Sequence, residues 1–368
     1  MSLKPGYKQT EIGVIPDDWE TVRVAEILRI RHGKNQSQVQ VADGAYPILA
    51  SGGEIGRSKS FLYDKPSVLI GRKGTIDKPQ YMESPFWTVD TLFFSEISPN
   101  NFPKFVYYKF CSIKWRSFNE ASGVPSLNAA TIENIVVSRP PPKEQKAIAE
   151  ALSDVDALID SLEALLTKKQ NIKTGVMQEL LTGRTRLPGF AGDWREVRLG
   201  DFALVSKGSQ LPQTSMTEHG MYPHLNGGIS PSGYTDQFNA GPDVVAISEG
   251  GNSCGFVQFV KDWFWSGGHC YTLQPNGIDR AFLYHALKGQ QSRIMKLRVG
   301  SGLPNVQKSA LMNFVFAAPK ESKEQAAIAE VFSDIDDEIE ALEKRLAKTR
   351  DLKQGMAQEL LTGRTRLV

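Results

Sequence analysis

Cysteine is scarce: Cys111, Cys254 and Cys270 are the whole supply in 368 residues, widely spaced and odd in number. Such spacing supports neither a disulfide framework nor a thiolate metal site, and buried free thiols are the expectation. No apolar run approaches the ~18 residues of a membrane span. Met1-Ser2-Leu3-Lys4-Pro5 opens onto polar sequence without an apolar leader core, so a cytoplasmic protein is expected. Charge of one sign is also lacking, at a net +2. Any contact with nucleic acid therefore depends on local rather than overall charge. Lys and Arg number 17 against 14 Asp and Glu over residues 1–142, and 10 against 9 over 188–318.

The strong catalytic signatures are missing. There is no Gly-x-x-x-x-Gly-Lys-Ser/Thr phosphate loop, no His-Glu-x-x-His and no Gly-x-Ser-x-Gly elbow. Gly52-Gly53-Glu54-Ile55-Gly56 lacks the spacing and setting of a dinucleotide loop. The five histidines are scattered, with only His219 and His224 close together, and no metal site is expected. Neither an acidic-lysine nuclease cluster nor an Asn/Asp-Pro-Pro-aromatic methyltransferase motif occurs. What the chain does contain is 40% apolar and 23% charged residues with 32 Gly and 20 Pro, a loop-rich globular balance.

Its organising feature is a repeat. Gln178-Glu179-Leu180-Leu181-Thr182-Gly183-Arg184-Thr185-Arg186-Leu187 recurs unchanged as Gln358 to Leu367, an offset of 180 residues. The same offset aligns Glu144-Gln145 with Glu324-Gln325, and Ala147 to Glu150 with Ala327 to Glu330. Apolar residues step by four and three through Ile148, Leu152, Val155, Ile159, Leu162 and Leu166. They do so again through Ile328, Phe332, Ile335, Ile339, Leu342 and Leu346. This is a coiled-coil seam. Prolines 140–142 and Pro319 before, and Gly183 and Gly363 after, bound two helices of about 38 residues, or ~57 Å. Two such helices can pair antiparallel, with the domains that precede them at opposite ends. Gly175 and Gly355, at matching mid-helix positions, read as points of close helix contact, with a functional hinge as the alternative. Arg184, Arg186, Arg364 and Arg366 read as cations suited to the helix C-terminal dipole, with a partner or phosphate contact as the alternative.

The segments before the helices are related more distantly. Asp18-Trp19 resembles Asp193-Trp194, Tyr46-Pro47 with Gly52-Gly53 resembles Tyr222-Pro223 with Gly227-Gly228, and Ser122-Gly123-Val124-Pro125 resembles Ser301-Gly302-Leu303-Pro304. The last pair reads as a tight turn, or as backbone amides for phosphate. Runs at 67–70, 91–94, 244–247 and 255–259 read as strands, and Phe105 to Phe118 and Ala281 to Leu297 as helices. The fold class is α+β: two β-rich mixed domains (1–142 and 188–318) separated by two long antiparallel coiled-coil helices (143–187 and 319–368).

One scaffold carrying two different surfaces suits two different targets. The polar and basic residues at strand ends are Arg57, Lys59, Arg72, Lys73 and Lys78 in the first half. In the second they are Lys207, Asn226, Ser248, Glu249, Asn252 and Lys261. Arg and Lys can pair with phosphate or guanine, Asn with adenine and Glu with cytosine N4. Each taken singly also reads as an ordinary solvated surface position.

With Tyr7 to Glu20, the Pro-x-x-Glu-Gln entry at Pro141 to Gln145 and the doubled Glu-Leu-Leu-Thr-Gly, the chain resembles the specificity (S) subunit of type I restriction-modification systems over essentially its full length. The resemblance implies two target recognition domains, each reading part of a split DNA sequence. It implies helices that set the spacing and dock two methylation subunits, with restriction subunits joining them. S-adenosylmethionine, ATP and Mg²⁺ would then belong to the partners. The second helix has one residue more between its Pro and Glu-Gln, which puts its start in question. Two rivals are a complete restriction or modification enzyme with an unrecognised site, and a scaffold that binds only protein.

Overall fold

The computed structural model describes residues 4–367. The chain divides into two compact units, Met1–Glu163 with Lys344–Val368, and Ala164–Glu343. The division cuts through both long helices, Pro142–Leu180 and Ser322–Leu361. Each unit thus holds one mixed domain, the first half of the helix that follows it and the second half of the other helix. Running the halves in opposite directions buries both apolar stripes. Ile148, Leu152, Leu162, Ile328, Phe332 and Leu346 are buried, and Val155, Ile159, Leu166, Ile335, Ile339 and Leu342 half-buried. Ion pairs flank the seam: Lys353–Asp156 and Arg350–Glu163 in the first unit, Lys173–Asp336 and Lys169–Glu338 in the second. Both helices begin two residues before their Glu-Gln, so the extra residue of the second copy falls in the preceding loop.

In the first unit a four-stranded antiparallel sheet runs in the order Leu28–His32, Leu92–Ile97, Ser67–Gly71, Gln80–Met82. Ser67–Gly71 is buried along its whole length, as its continuous apolar run requires. A second sheet carries Tyr46–Ala50, paired in parallel with Trp87–Thr88. The second unit repeats this plan with Ala203–Lys207, Cys270–Pro275, Val244–Ser248 and Val257–Val260, and with Tyr222–Leu225 parallel to Trp265–Ser266. The expected domain helices appear as Pro103–Ser112 and Arg280–Gly289, each followed by a shorter helical turn.

The repeated residues build the same knot twice. In the first unit Glu144 is fully buried and accepts from Arg366 Nε at 2.6 Å and from the Trp19 indole at 2.8 Å. In the second, Glu324 accepts from Arg186 at 2.5 and 2.6 Å, and from the Trp194 indole at 3.4 Å. Gln145 and Gln325 each accept a backbone N–H of the preceding domain, from Phe102 and Asp279, and donate to Pro140 and Pro319 carbonyls. Gly183 and Gly363 end the helices at φ +70° and +74°. A Cβ on Gly363 would come within 2.5 Å of Pro16, and one on Gly183 within 2.9 Å of the Trp194 ring. Glycine is therefore dictated by conformation and by contact.

Three expectations need correction. Gly175 and Gly355 are exposed, and a Cβ at either would meet open space, so no close helix contact holds them. Arg186 and Arg366 serve buried glutamates across their units rather than their own helix dipoles. Cys111 is exposed, whereas Cys254 and Cys270 are buried, and all three are free.

Candidate nucleic-acid interface

In the second unit an open cleft of about 530 Å³ is lined by Lys207, Asn226, Glu249, His269, Leu303 and Asn305 over a floor of glycines. Three segments converge there because sheet register requires it. Lys207 ends the strand paired with Tyr271, and Ser248 pairs with Cys270, so Glu249 and His269 leave their strands side by side. Glu249 N–H donates to the His269 carbonyl at 2.8 Å, and Val306 N–H to the Glu249 carbonyl at 2.8 Å. The Glu249 carboxylate is only 12% exposed. It accepts from Lys207 Nζ at 2.6 Å and from the Tyr271 hydroxyl at 3.0 Å, with His269 Nδ1 at 3.5 Å. Burial first, and then the Glu249 bond, push the Tyr271 phenol up to about 12, so it stays a donor. Glu249 thus holds a cation and a phenol through one carboxylate oxygen at the mouth of the cleft, while the other, buried and facing His269, accepts no hydrogen bond.

The first unit places different side chains in the same register. Arg72 N–H donates to the Thr91 carbonyl and Leu127 N–H to the Arg72 carbonyl, both at 2.9 Å, making Arg72 the counterpart of Glu249. His32 pairs with Phe93 as Lys207 pairs with Tyr271. The indoles of Trp87 and Trp265 donate to the Lys34 and Ser209 carbonyls, each at 2.9 Å, which fixes the adjoining turns alike. The position that is anionic in one unit is cationic in the other, where exposed Lys73 stands beside Arg72.

Of the residues singled out from sequence, Lys207, Asn226 and Glu249 line the cleft, and Arg72 and Lys73 occupy its counterpart. Ser248 is buried behind the cleft and donates to the Gly227 carbonyl at 2.6 Å. Asn252 is exposed just beyond Gly251. Arg57 is committed elsewhere: its guanidinium donates to the Gly44 and Ala45 carbonyls at 3.1 and 3.0 Å. Lys261 lies 3.6 Å from Glu340, beside a different cavity. Lys59 and Lys78 are exposed outside the strand ends that form the cleft counterpart. His269 and Asn305 were missed by sequence reasoning, and Leu303 entered it only as part of the Ser-Gly-x-Pro turn.

Among the described residues, no group of three or more His, Cys, Asp or Glu is arranged to hold a metal ion. His224 is buried, with Nδ1 3.2 Å from Met216 Sδ, and its burial lowers its pKa. Among the same residues no helix is long and apolar enough to cross a membrane.

A type I specificity subunit of Mycoplasma pneumoniae is 34% identical over 173 residues, 46% of this chain and 46% of that protein. That match spans about half the length of the Mycoplasma relative. The MjaVIII type I restriction enzyme specificity subunit of Methanocaldococcus jannaschii is 22% identical over 416 aligned positions, covering 96% of this chain and 94% of the relative. The fold is similar to the crystal structure of a type I restriction-modification S subunit from M. genitalium, at a TM-score of 0.75, 17% identity and 98% coverage of both chains. A family model, the type I restriction modification DNA specificity domain, matches twice, over residues 16–174 and 191–349, and the chain belongs to that family.

Proposed function

We propose that the protein is the non-catalytic specificity subunit of a type I restriction-modification complex. In it each unit reads one half of a split DNA target. The observation that carries this reading is the pair of register-matched strand ends, built alike and furnished differently: Arg72 and Lys73 in one, Lys207, Glu249 and His269 in the other. A guanidinium pairs well with guanine O6/N7. A carboxylate accepts from an exocyclic amine of cytosine or adenine, once Lys207 turns toward a phosphate. Such an arrangement gives unlike halves from one scaffold.

The helices would set the spacing. At 39 and 40 residues they reach about 60 Å, which limits the separation of the half-sites to about 17 base pairs. They would also dock the methylation subunits, and Leu158, Leu165, Ile172 and Leu352 remain exposed on them for that purpose. S-adenosylmethionine, ATP and Mg²⁺ would be bound by the partners. The test is methylation mapping of DNA from a host carrying this gene with its methyltransferase partner. A split motif is expected, and one added helical turn in both helices should widen its gap by about one or two base pairs. A continuous motif, or an unchanged gap, would contradict the reading.

A further inference from the structure

Among the described residues the most exposed large apolar side chain is Leu303, at 86%, and its counterpart Val124 is 66% exposed. Each is the tip of a Ser-Gly-x-Pro loop: Ser122-Gly123-Val124-Pro125 and Ser301-Gly302-Leu303-Pro304. The neighbouring sequence has diverged between the units, yet the aliphatic tip and its proline are present in both.

These tips are held firmly. Glu120 N–H donates to the Ser126 carbonyl at 3.1 Å, and Val299 N–H to the Asn305 carbonyl at 2.8 Å, closing the two loops at the same place. Gly74 N–H donates to the Pro125 carbonyl and Gly251 N–H to the Pro304 carbonyl, each at 2.9 Å. The loop bases are thereby fastened to the strand ends that carry Arg72 and Glu249. Leu303 itself lines the cleft with Lys207, Glu249 and His269. A fixed loop that holds an aliphatic group in water, beside polar and cationic side chains, is arranged to place that group in an apolar environment on binding. On a duplex, such an environment is found between stacked bases, where leucine and similar side chains act as wedges.

We infer that Val124 and Leu303 are wedge residues, each entering the base stack of the half-site read by its own unit and unstacking one step there. The inference rests on the DNA-reading function proposed above. The partial unstacking would lower the work needed to extrude a nearby base for methylation.

The test uses the full chain assembled with its methylation subunit, on duplexes of the mapped motif carrying one 2-aminopurine at each position in turn. Away from the base extruded for methylation, wild-type complex should brighten the probe at one step in each half. Leu303→Ser should abolish the rise only in the half read by the second unit and weaken binding about ten- to a hundredfold. Leu303→Met should retain the rise. Val124→Ser should show the mirror result with a smaller loss.

Wild-type binding with no brightened position, or serine variants that brighten like wild type, would overturn the wedge while leaving the reading of DNA intact. Loss of the methylation subunit from the serine variants would also overturn it, assigning the tips to a protein contact. Wild-type complex that fails to prefer the motif over a scrambled duplex would remove both the wedge and the function on which it rests.

Discussion

Replacing Arg366 with methionine isolates one of the two knots that tie the helices to the domains. Glu144 is fully buried, and the Arg366 guanidinium meets its carboxylate at 2.6 and 2.8 Å while also reaching Asp18 at 2.8 and 3.0 Å. Methionine keeps the volume of the stem but leaves a buried carboxylate without its main counter-charge. Breaking a buried pair on one side costs about 3–5 kcal/mol, because the remaining charge keeps its desolvation penalty. The loss should appear in urea unfolding and, by hydrogen exchange, first around Trp19, Phe105, Ile148 and Leu360, which share one core in the first unit. Protection around Val245, Phe282 and Phe332 in the second unit should persist. Arg186→Met should do the reverse through Glu324, which is 1% exposed. Adding Glu144→Gln to Arg366→Met should recover part of the loss, since no charge is then stranded. A loss below about 1 kcal/mol, or an even loss of protection over both units, would refute the knot as described.

Gly175→Ala and Gly355→Ala meet open space and should each stabilise the chain by about 1 kcal/mol, additively, in urea or thermal unfolding; destabilisation would restore the close-contact reading. Burial lowers His285 to about 4, with Asp336, Lys173 and Asp279 nearby. The unfolded chain takes up a proton below about pH 6.5 that the native state refuses, so up to about 3 kcal/mol of stability should be lost between pH 6.5 and 4. His285→Tyr, which copies Tyr108 at the matching place, should flatten that dependence, and an unchanged slope would exclude His285 as its source. Glu249→Gln should alter the methylated motif in the half read by the second unit alone, and Arg72→Gln in the other half; a shift in both halves would deny independent reading.

The helices, their ends and their pairing were legible because each rests on a local, repeated pattern. Apolar steps of four and three, prolines before and glycines after are constraints of one helix on itself. The knots were visible only as identities: Glu144, Trp19 and Arg366 recur as Glu324, Trp194 and Arg186, but the contact of Glu144 with Arg366 spans 222 residues. No periodicity indicates a partner at that distance. Gly175 and Gly355 were misread because a repeat shows that a position is constrained without showing which way it faces. The cleft was half legible. Lys207 and Glu249 announced themselves by charge, while His269 and Asn305 join them only through strand register, and Arg57 was lost to two carbonyls invisible from its neighbours.

The central claim is that two independent readers share one chain. Its most direct test is methylation mapping in a host that carries the methyltransferase partner, with residues 188–318 exchanged for the equivalent segment of another family member. The account predicts a split motif in which one half changes while the other half and the gap are retained. A motif that changes throughout, or that does not change at all, would contradict it.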